Sequence, residues 1–275
     1  MFKQRLISAI VLVVILLFFL ITGELPMFFF TWIISLIAYF EMTKATGVRL
    51  KDQKWSGLEL VGALGICAYY GVLYFAGLNG HVMLVLTLTI SCFMLVYVFT
   101  FPKYQANQIM SAVFSFFYAP VMLSYLYLTR ELKQGVYLIW LTFIGSWICD
   151  TCAYLAGRAF GKHKLAPVLS PKKSIEGSVG GVLGAALVGF LYALVLVNMG
   201  EIGHEMLYIY PVITTLCSLF SQVGDLAASG IKRNHEIKDY GKLIPGHGGI
   251  MDRFDSVIFI APIIYYLALF LAKVD

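Results

Sequence analysis

Three acidic residues stand where the chain changes from apolar to polar. Asp225 closes the apolar run 211–228, and Asp252 and Asp255 open the next one. The polar interval between them, 229–253, carries Lys232, Arg233, Lys238, Lys242 and Arg253 beside Asp239, and the turn Gly246-His247-Gly248-Gly249. Lysines and arginines take phosphate charge, carboxylates hold Mg²⁺, and glycines let backbone N–H groups approach an anion. The combination suits a metal-bound polyphosphate. A solvated loop between two membrane helices is the plainer reading of such charges. Carboxylates at membrane-helix ends argue against it, because they are functional candidates by default. Ser221, Asp225 and Ser229 are spaced by four and share a helix face, as do Asp252, Asp255 and Ser256 at i, i+3 and i+4. Asp225 and Asp252 therefore sit at facing ends of two consecutive antiparallel helices, and the expectation is that they converge on one Mg²⁺.

A second group lies upstream. Asp150 sits in an apolar run about two helical turns from its polar end, with Arg158 close to the same face at i+8. A carboxylate at that depth costs a few kcal/mol unless a cation or donor meets it. Both a structural Asp–Arg pair and a substrate or metal contact remain open. The following segment contains Ser170-Pro171-Lys172-Lys173-Ser174-Ile175-Glu176-Gly177. Ser170 can cap the next helix with Pro171 at its first position, and Ser174 is an alternative cap. Lysines at a helix N-terminus oppose its dipole, so Lys172 and Lys173 make sense there if an anion is bound. Ordinary loop lysines are the other reading. The string Gly157-x-x-x-Gly161-Lys162-His163 is not a Walker A loop, being one residue short and lacking the Ser/Thr.

Apolar helices must position these groups. The chain of 275 residues is 60% hydrophobic and 13% charged, far from the soluble norm of about half apolar and a quarter charged. The expected fold class is an all-α, polytopic integral membrane protein. Nine apolar segments of roughly spanning length are predicted: 6–22, 26–40, 57–76, 82–100, 109–128, 135–157, 176–199, 206–228 and 254–272. The second is short enough to be tilted or partly interfacial. Loop Lys and Arg divide 17 against 3, which places the N-terminus and the loops 158–175 and 229–253 in the cytoplasm and the C-terminus outside. Residues 1–128 read as a transmembrane scaffold without chemistry, and 129–275 as the catalytic region. The seventh segment carries Gly177, Gly180, Gly181, Gly184 and Gly189, a pattern for close helix packing. Cys149-x-x-Cys152 lacks a second ligand pair and reads as buried helix surface. A net charge of +5 is too modest to indicate a nucleic-acid partner.

The run Ser229-x-Ile231-Lys232-Arg233-x₄-Lys238-Asp239-x-Gly241-x₂-Ile244-Pro245-x-His247-Gly248-Gly249-Ile250-x-Asp252-Arg253-Phe254-Asp255 resembles the signature of the phosphatidate cytidylyltransferases, or CDP-diacylglycerol synthases, with no departure at a fixed position. The stretches 150–158 and 170–177 resemble further motifs of that family. The resemblance implies transfer of cytidylyl from CTP to phosphatidate, giving CDP-diacylglycerol and pyrophosphate, by a Mg²⁺-dependent homodimer in the inner membrane. Whether a second cation accompanies Mg²⁺ is left open. It implies Asp225 and Asp252 as metal carboxylates, with Lys232, Arg233, His247 and Arg253 also in the catalytic set. The expected contacts to CTP and phosphatidate are Asp150, Ser170, Lys172, Lys173, Ser174, Gly177, Lys238, Asp239, Gly248 and Gly249. His247 would protonate the leaving pyrophosphate or hydrogen-bond a phosphate. The rival enzyme reading is a CTP-dependent lipid kinase, and the rival non-enzyme reading is an anion or lipid-phosphate transporter, for which no inverted repeat is visible. The motif of CDP-alcohol phosphotransferases is absent.

Overall fold

The computed structural model describes residues 2–49, 54–246 and 248–272. Among them the chain forms nine helices in the expected places. These are α1 (Phe2–Thr22), α2 (Glu24–Ala45), α3 (Gly57–Ala76), α4 (Gly80–Thr100), α5 (Ala106–Glu131), α6 (Gly135–Phe160), α7 (Ile175–Asn198), α8 (Met206–Asn234) and α9 (Met251–Leu271). The eight from α2 onward are long and apolar enough to cross a membrane, and the described apolar part of α1 is Ile10–Thr22. With the bilayer satisfying no backbone group, each span must close its own hydrogen bonds, which a helix does. π-helical turns interrupt α5 at Phe117–Val121, around Pro120, and α6 at Ile144–Ile148.

Two expectations change. The second span is not short: α2 runs for 22 residues. Its polar last turns read as loop, but they are held. Thr43 donates to the Glu59 carboxylate at 3.0 Å, and Glu41 accepts two backbone N–H groups at 2.8 and 3.2 Å. The segment before α7 is not a featureless loop either. It folds as an antiparallel hairpin of β1 (Lys164–Ala166) and β2 (Ser170–Ser174), pairing Lys164 with Ser174 and Ala166 with Ser170. Pro171, which has no N–H for a ladder, sits exposed on β2, a position an edge strand tolerates.

The chain divides into two compact units. One comprises residues 1–124 and 234–253, so the polar loop 234–253 groups with the N-terminal helices rather than with the rest of the C-terminal region. Its interior holds a buried ion pair: Arg49 grips the fully buried Glu59 through Nε at 3.0 and 3.1 Å and a terminal nitrogen at 2.8 Å. Glu59 also accepts the Ser56 N–H at 2.9 Å, completing the capping box that starts α3. The other unit comprises 125–233 and 254–275. Leu138, Leu141, Ile213, Cys217, Ile260 and Ile264 pack in its core.

Candidate active site

In the second unit α6 and α7 run unusually close. A Cβ on Gly177 would stand 2.7 Å from the Ala153 carbonyl, and one on Gly181 would stand 2.9 Å from the Cys149 carbonyl. Only residues without a side chain permit that approach, so the glycine pattern of α7 serves packing. Ser174 caps α7 by accepting the Gly177 N–H at 3.1 Å. Ser170 does not cap, because it belongs to β2. Lys172 and Lys173 accordingly lie on β2 rather than in the first helical turn.

A cavity of about 410 Å³ opens beside this junction. Its wall includes Asp150, Arg158, Ser170, Lys172, Lys173, Ser174, Gly177 and Asp225, so seven residues expected to bind substrate or metal share one space. Lys173 is ion-paired with Asp225, both about a quarter exposed. Asp225 also accepts from the Ser229 hydroxyl at 3.4 Å, as their shared helix face requires. The Ser221 hydroxyl, one turn earlier, is buried and has no hydrogen-bond partner among the described residues. Asp255 lies within electrostatic reach of Asp225, Asp150 and Lys232. Inside this unit Asp225 thus has Asp255 as a carboxylate neighbour besides Asp150 on the same wall, and the sequence pattern gives Asp255 a shared helix face but no role. Gln222 and Ser178, also on the wall, escaped the sequence reading; the Ser178 hydroxyl donates to the Gln222 side chain, which in turn donates to the Ser178 carbonyl at 3.3 Å. Nothing in their local sequence marks them.

In the first unit, Asp252 organises the glycine turn. Its Oδ2 accepts the N–H of Tyr240 at 2.8 Å and of Gly249 at 3.0 Å. Gly248 has φ +88°, and a Cβ there would come within 2.7 Å of that same oxygen. The turn closes through Ile244 N–H to the Gly248 carbonyl at 2.8 Å. Gly249 N–H is therefore engaged by Asp252 in this conformation. The Arg253 Nε is buried without a hydrogen-bond partner among the described residues. Arg233, Lys238 and Asp239 are exposed, and Lys232 is half-buried. His247 lies outside the described residues.

The donor chemistry of the cavity fits a divalent ion that arrives with a polyphosphate. Octahedral Mg²⁺ keeps waters and substrate oxygens and needs only one or two protein carboxylates. Among the described residues no three His, Cys, Asp or Glu side chains form a self-sufficient metal cage, whereas Asp225 and Asp150 on the wall, with Asp255 within electrostatic reach, meet the smaller requirement.

The model of the cytidylyltransferase family matches residues 3–271. The chain belongs to the cytidylyltransferase family. Similar members include proteins named phosphatidate cytidylyltransferase from three bacteria. That of Staphylococcus aureus is 34% identical over 272 residues, covering 96% of this chain and 98% of its own length. The Staphylococcus saprophyticus protein is 32% identical over 266 residues, with the same two coverages. The Bacillus subtilis protein is 31% identical over 273 residues, covering 96% and 97%. Family membership extends over all nine helices, well beyond the C-terminal signature that carries the resemblance in sequence.

Proposed function

We propose that this cytidylyltransferase is a multi-pass inner-membrane enzyme that transfers the cytidylyl group of CTP to phosphatidate, with its site facing the cytoplasm. The observation that carries the reading is the cavity where Lys172, Lys173 and Arg158 meet Asp150 and Asp225 at the mouth of an apolar helix pair.

A phosphate oxygen of the lipid attacks the α-phosphorus of CTP. The bond from that phosphorus to the bridging α–β oxygen breaks, and pyrophosphate leaves with the electron pair. The lipid phosphate is already an anion close to two charges, so it needs little help from a general base. The obstacle is repulsion between two polyanions, about 4 kcal/mol for each pair of unit charges 4 Å apart at an effective dielectric of 20. Catalysis is then mainly charge cancellation and in-line positioning. Lys172, Lys173 and Arg158 neutralise phosphate oxygens from the cavity wall, and Lys232, Arg233 and Arg253 complete the cationic set. Lys173 and Asp225 satisfy each other's charge; with substrate phosphate present, Lys173 would turn to it and leave Asp225 free to hold the ion. Asp225, with Asp255 beside it, would hold Mg²⁺ in this unit, and Asp252 is the metal carboxylate that the signature adds; the ion supplies Lewis-acid neutralisation of the triphosphate when bound. The apolar walls of α6 and α7 admit acyl chains laterally, so the lipid stays in the bilayer. A homodimer is part of this reading, and light scattering in detergent checks it.

The test is purified protein with phosphatidate, Mg²⁺ and CTP labelled at either the α- or the γ-phosphate. The α-label is expected in the lipid, with pyrophosphate released. The γ-label in the lipid, with CDP released, would mean a lipid kinase.

A further inference from the structure

Glu41 lies near the end of α2, more than 200 residues from the signature turn and among helices to which the sequence gives no chemistry. Its carboxylate nevertheless accepts the N–H of Ile250 at 3.2 Å and of Met251 at 2.8 Å, one on each oxygen. These are the amides at the start of α9, which have no partner inside the helix and form the positive end of its dipole. Gly241 and Gly249 close around the same carboxylate: a Cβ on either would overlap Glu41 oxygen atoms. Neither glycine has a left-handed φ, so each is there for space, not for backbone freedom. One residue further on, Asp252 takes the Tyr240 and Gly249 amides. The turn is thus clasped by two carboxylates acting on adjacent amides, and a second tether, Ser8 Oγ to the Pro245 carbonyl at 3.0 Å, joins it to α1.

We infer that Glu41 is a positioning residue: from the N-terminal helices it fixes the first turn of α9 and thereby the place of Asp252. The inference rests on the reading of Asp252 as part of the metal and phosphate machinery. Its physical content is that a long-range carboxylate, together with the loop's own Asp252, decides where that turn sits. Glutamine at this position keeps one acceptor oxygen for two amides, and alanine keeps none. Aspartate is one methylene too short to reach both.

The experiment combines steady-state kinetics of Glu41→Ala, Glu41→Gln and Glu41→Asp with hydrogen exchange at 249–251 in the purified full-length protein. Glu41→Ala is expected to lower kcat by about 100-fold, the scale on which a catalytic group displaced by about 1 Å loses rate. It should raise the Mg²⁺ concentration for half-maximal activity and speed exchange of the Ile250 and Met251 amides. Glu41→Gln and Glu41→Asp should be intermediate. Gly249→Ala should speed the same exchange in the wild-type background and add little to Glu41→Ala, where the overlapped oxygens are gone. Unchanged exchange in Glu41→Ala overturns the clasp. Faster exchange with kcat per folded molecule unaltered leaves a purely structural tie and overturns the positioning role. If wild-type protein makes no CDP-diacylglycerol, the functional reading fails instead, and exchange alone decides whether Glu41 holds the turn. Should Glu41→Ala not survive purification, Glu41→Gln carries the same comparisons.

Discussion

Asp225 and Lys173 form the ion pair on which the site's charge balance turns. Both are about a quarter exposed, so the pair is neither a surface contact of negligible worth nor a sealed one. Asp225→Asn removes the charge that would hold Mg²⁺ while keeping size and hydrogen-bonding shape. Its kcat is expected to fall by about 10²-fold or more, the scale seen when one electrostatic contact to a charged transition state is lost. Membrane insertion should be normal, which immunoblotting of the membrane fraction checks beside the cytidylyl assay. Wild-type turnover at ordinary Mg²⁺ would remove Asp225 from the metal assignment. Asp225 was legible in sequence because an aspartate inside an apolar run is costly and therefore conspicuous. Glu41 was not. At the end of its helix a glutamate beside Lys44 is unremarkable, and its partners are the amides of residues 250 and 251. No local pattern records a contact that distant.

The helices set how far such residues can be read. Hydropathy placed nine helices, eight of them long and apolar enough to cross a membrane, because a span needs about 20 apolar residues. It could not place the hairpin Lys164–Ala166 and Ser170–Ser174, whose eight strand residues are mostly polar and charged and have no period-two apolar pattern. Close contacts between helices were half legible: glycines mark α7, but sequence does not say which of them touch a neighbour. Gly181→Ala would put a Cβ 2.9 Å from both the Ala153 Cβ and the Cys149 carbonyl. Overpacking of that kind costs about 1–3 kcal/mol, and part of it should appear as a narrowed cavity and a raised KM. Gly71→Ala in α3 is the matched control, since its Cβ would meet nothing within 4 Å and alanine suits a helix better than glycine. Thermal unfolding in detergent should show a lowered midpoint for the first and none for the second. Arg49→Ala belongs to the same scale. It would strand the fully buried Glu59, which joins α2, α3 and the loop between them. Losing one partner of a buried pair costs about 3–5 kcal/mol, so the midpoint should drop steeply while kcat per folded molecule holds.

At the scale of the whole molecule the governing quantity is the distribution of positive charge. Seventeen of the 20 Lys and Arg residues fall in loops on one side of the predicted spans and three on the other. Short loops rich in Lys and Arg stay in the cytoplasm, so the orientation expected is cytoplasmic for 158–175 and 229–253 and external for the end of α5 at Arg130 and the turn with Lys133 that follows it. The chemistry requires the same side, because nucleotide and Mg²⁺ are cytoplasmic supplies. Cysteine labelling separates the possibilities. The native cysteines Cys67, Cys92, Cys149, Cys152 and Cys217 all lie within helical spans, where a membrane-impermeant maleimide has little access. The unaltered protein should therefore give a low background. Lys133 and Lys242 are both exposed loop residues, and neither is placed in the site. Lys133→Cys is expected to label on intact cells, and Lys242→Cys only after the membrane is opened. Arg130→Ala should leave turnover unchanged. The reverse labelling pattern would put the cationic loops on the face that lacks CTP, and the proposed reaction could not then be supplied with its nucleotide.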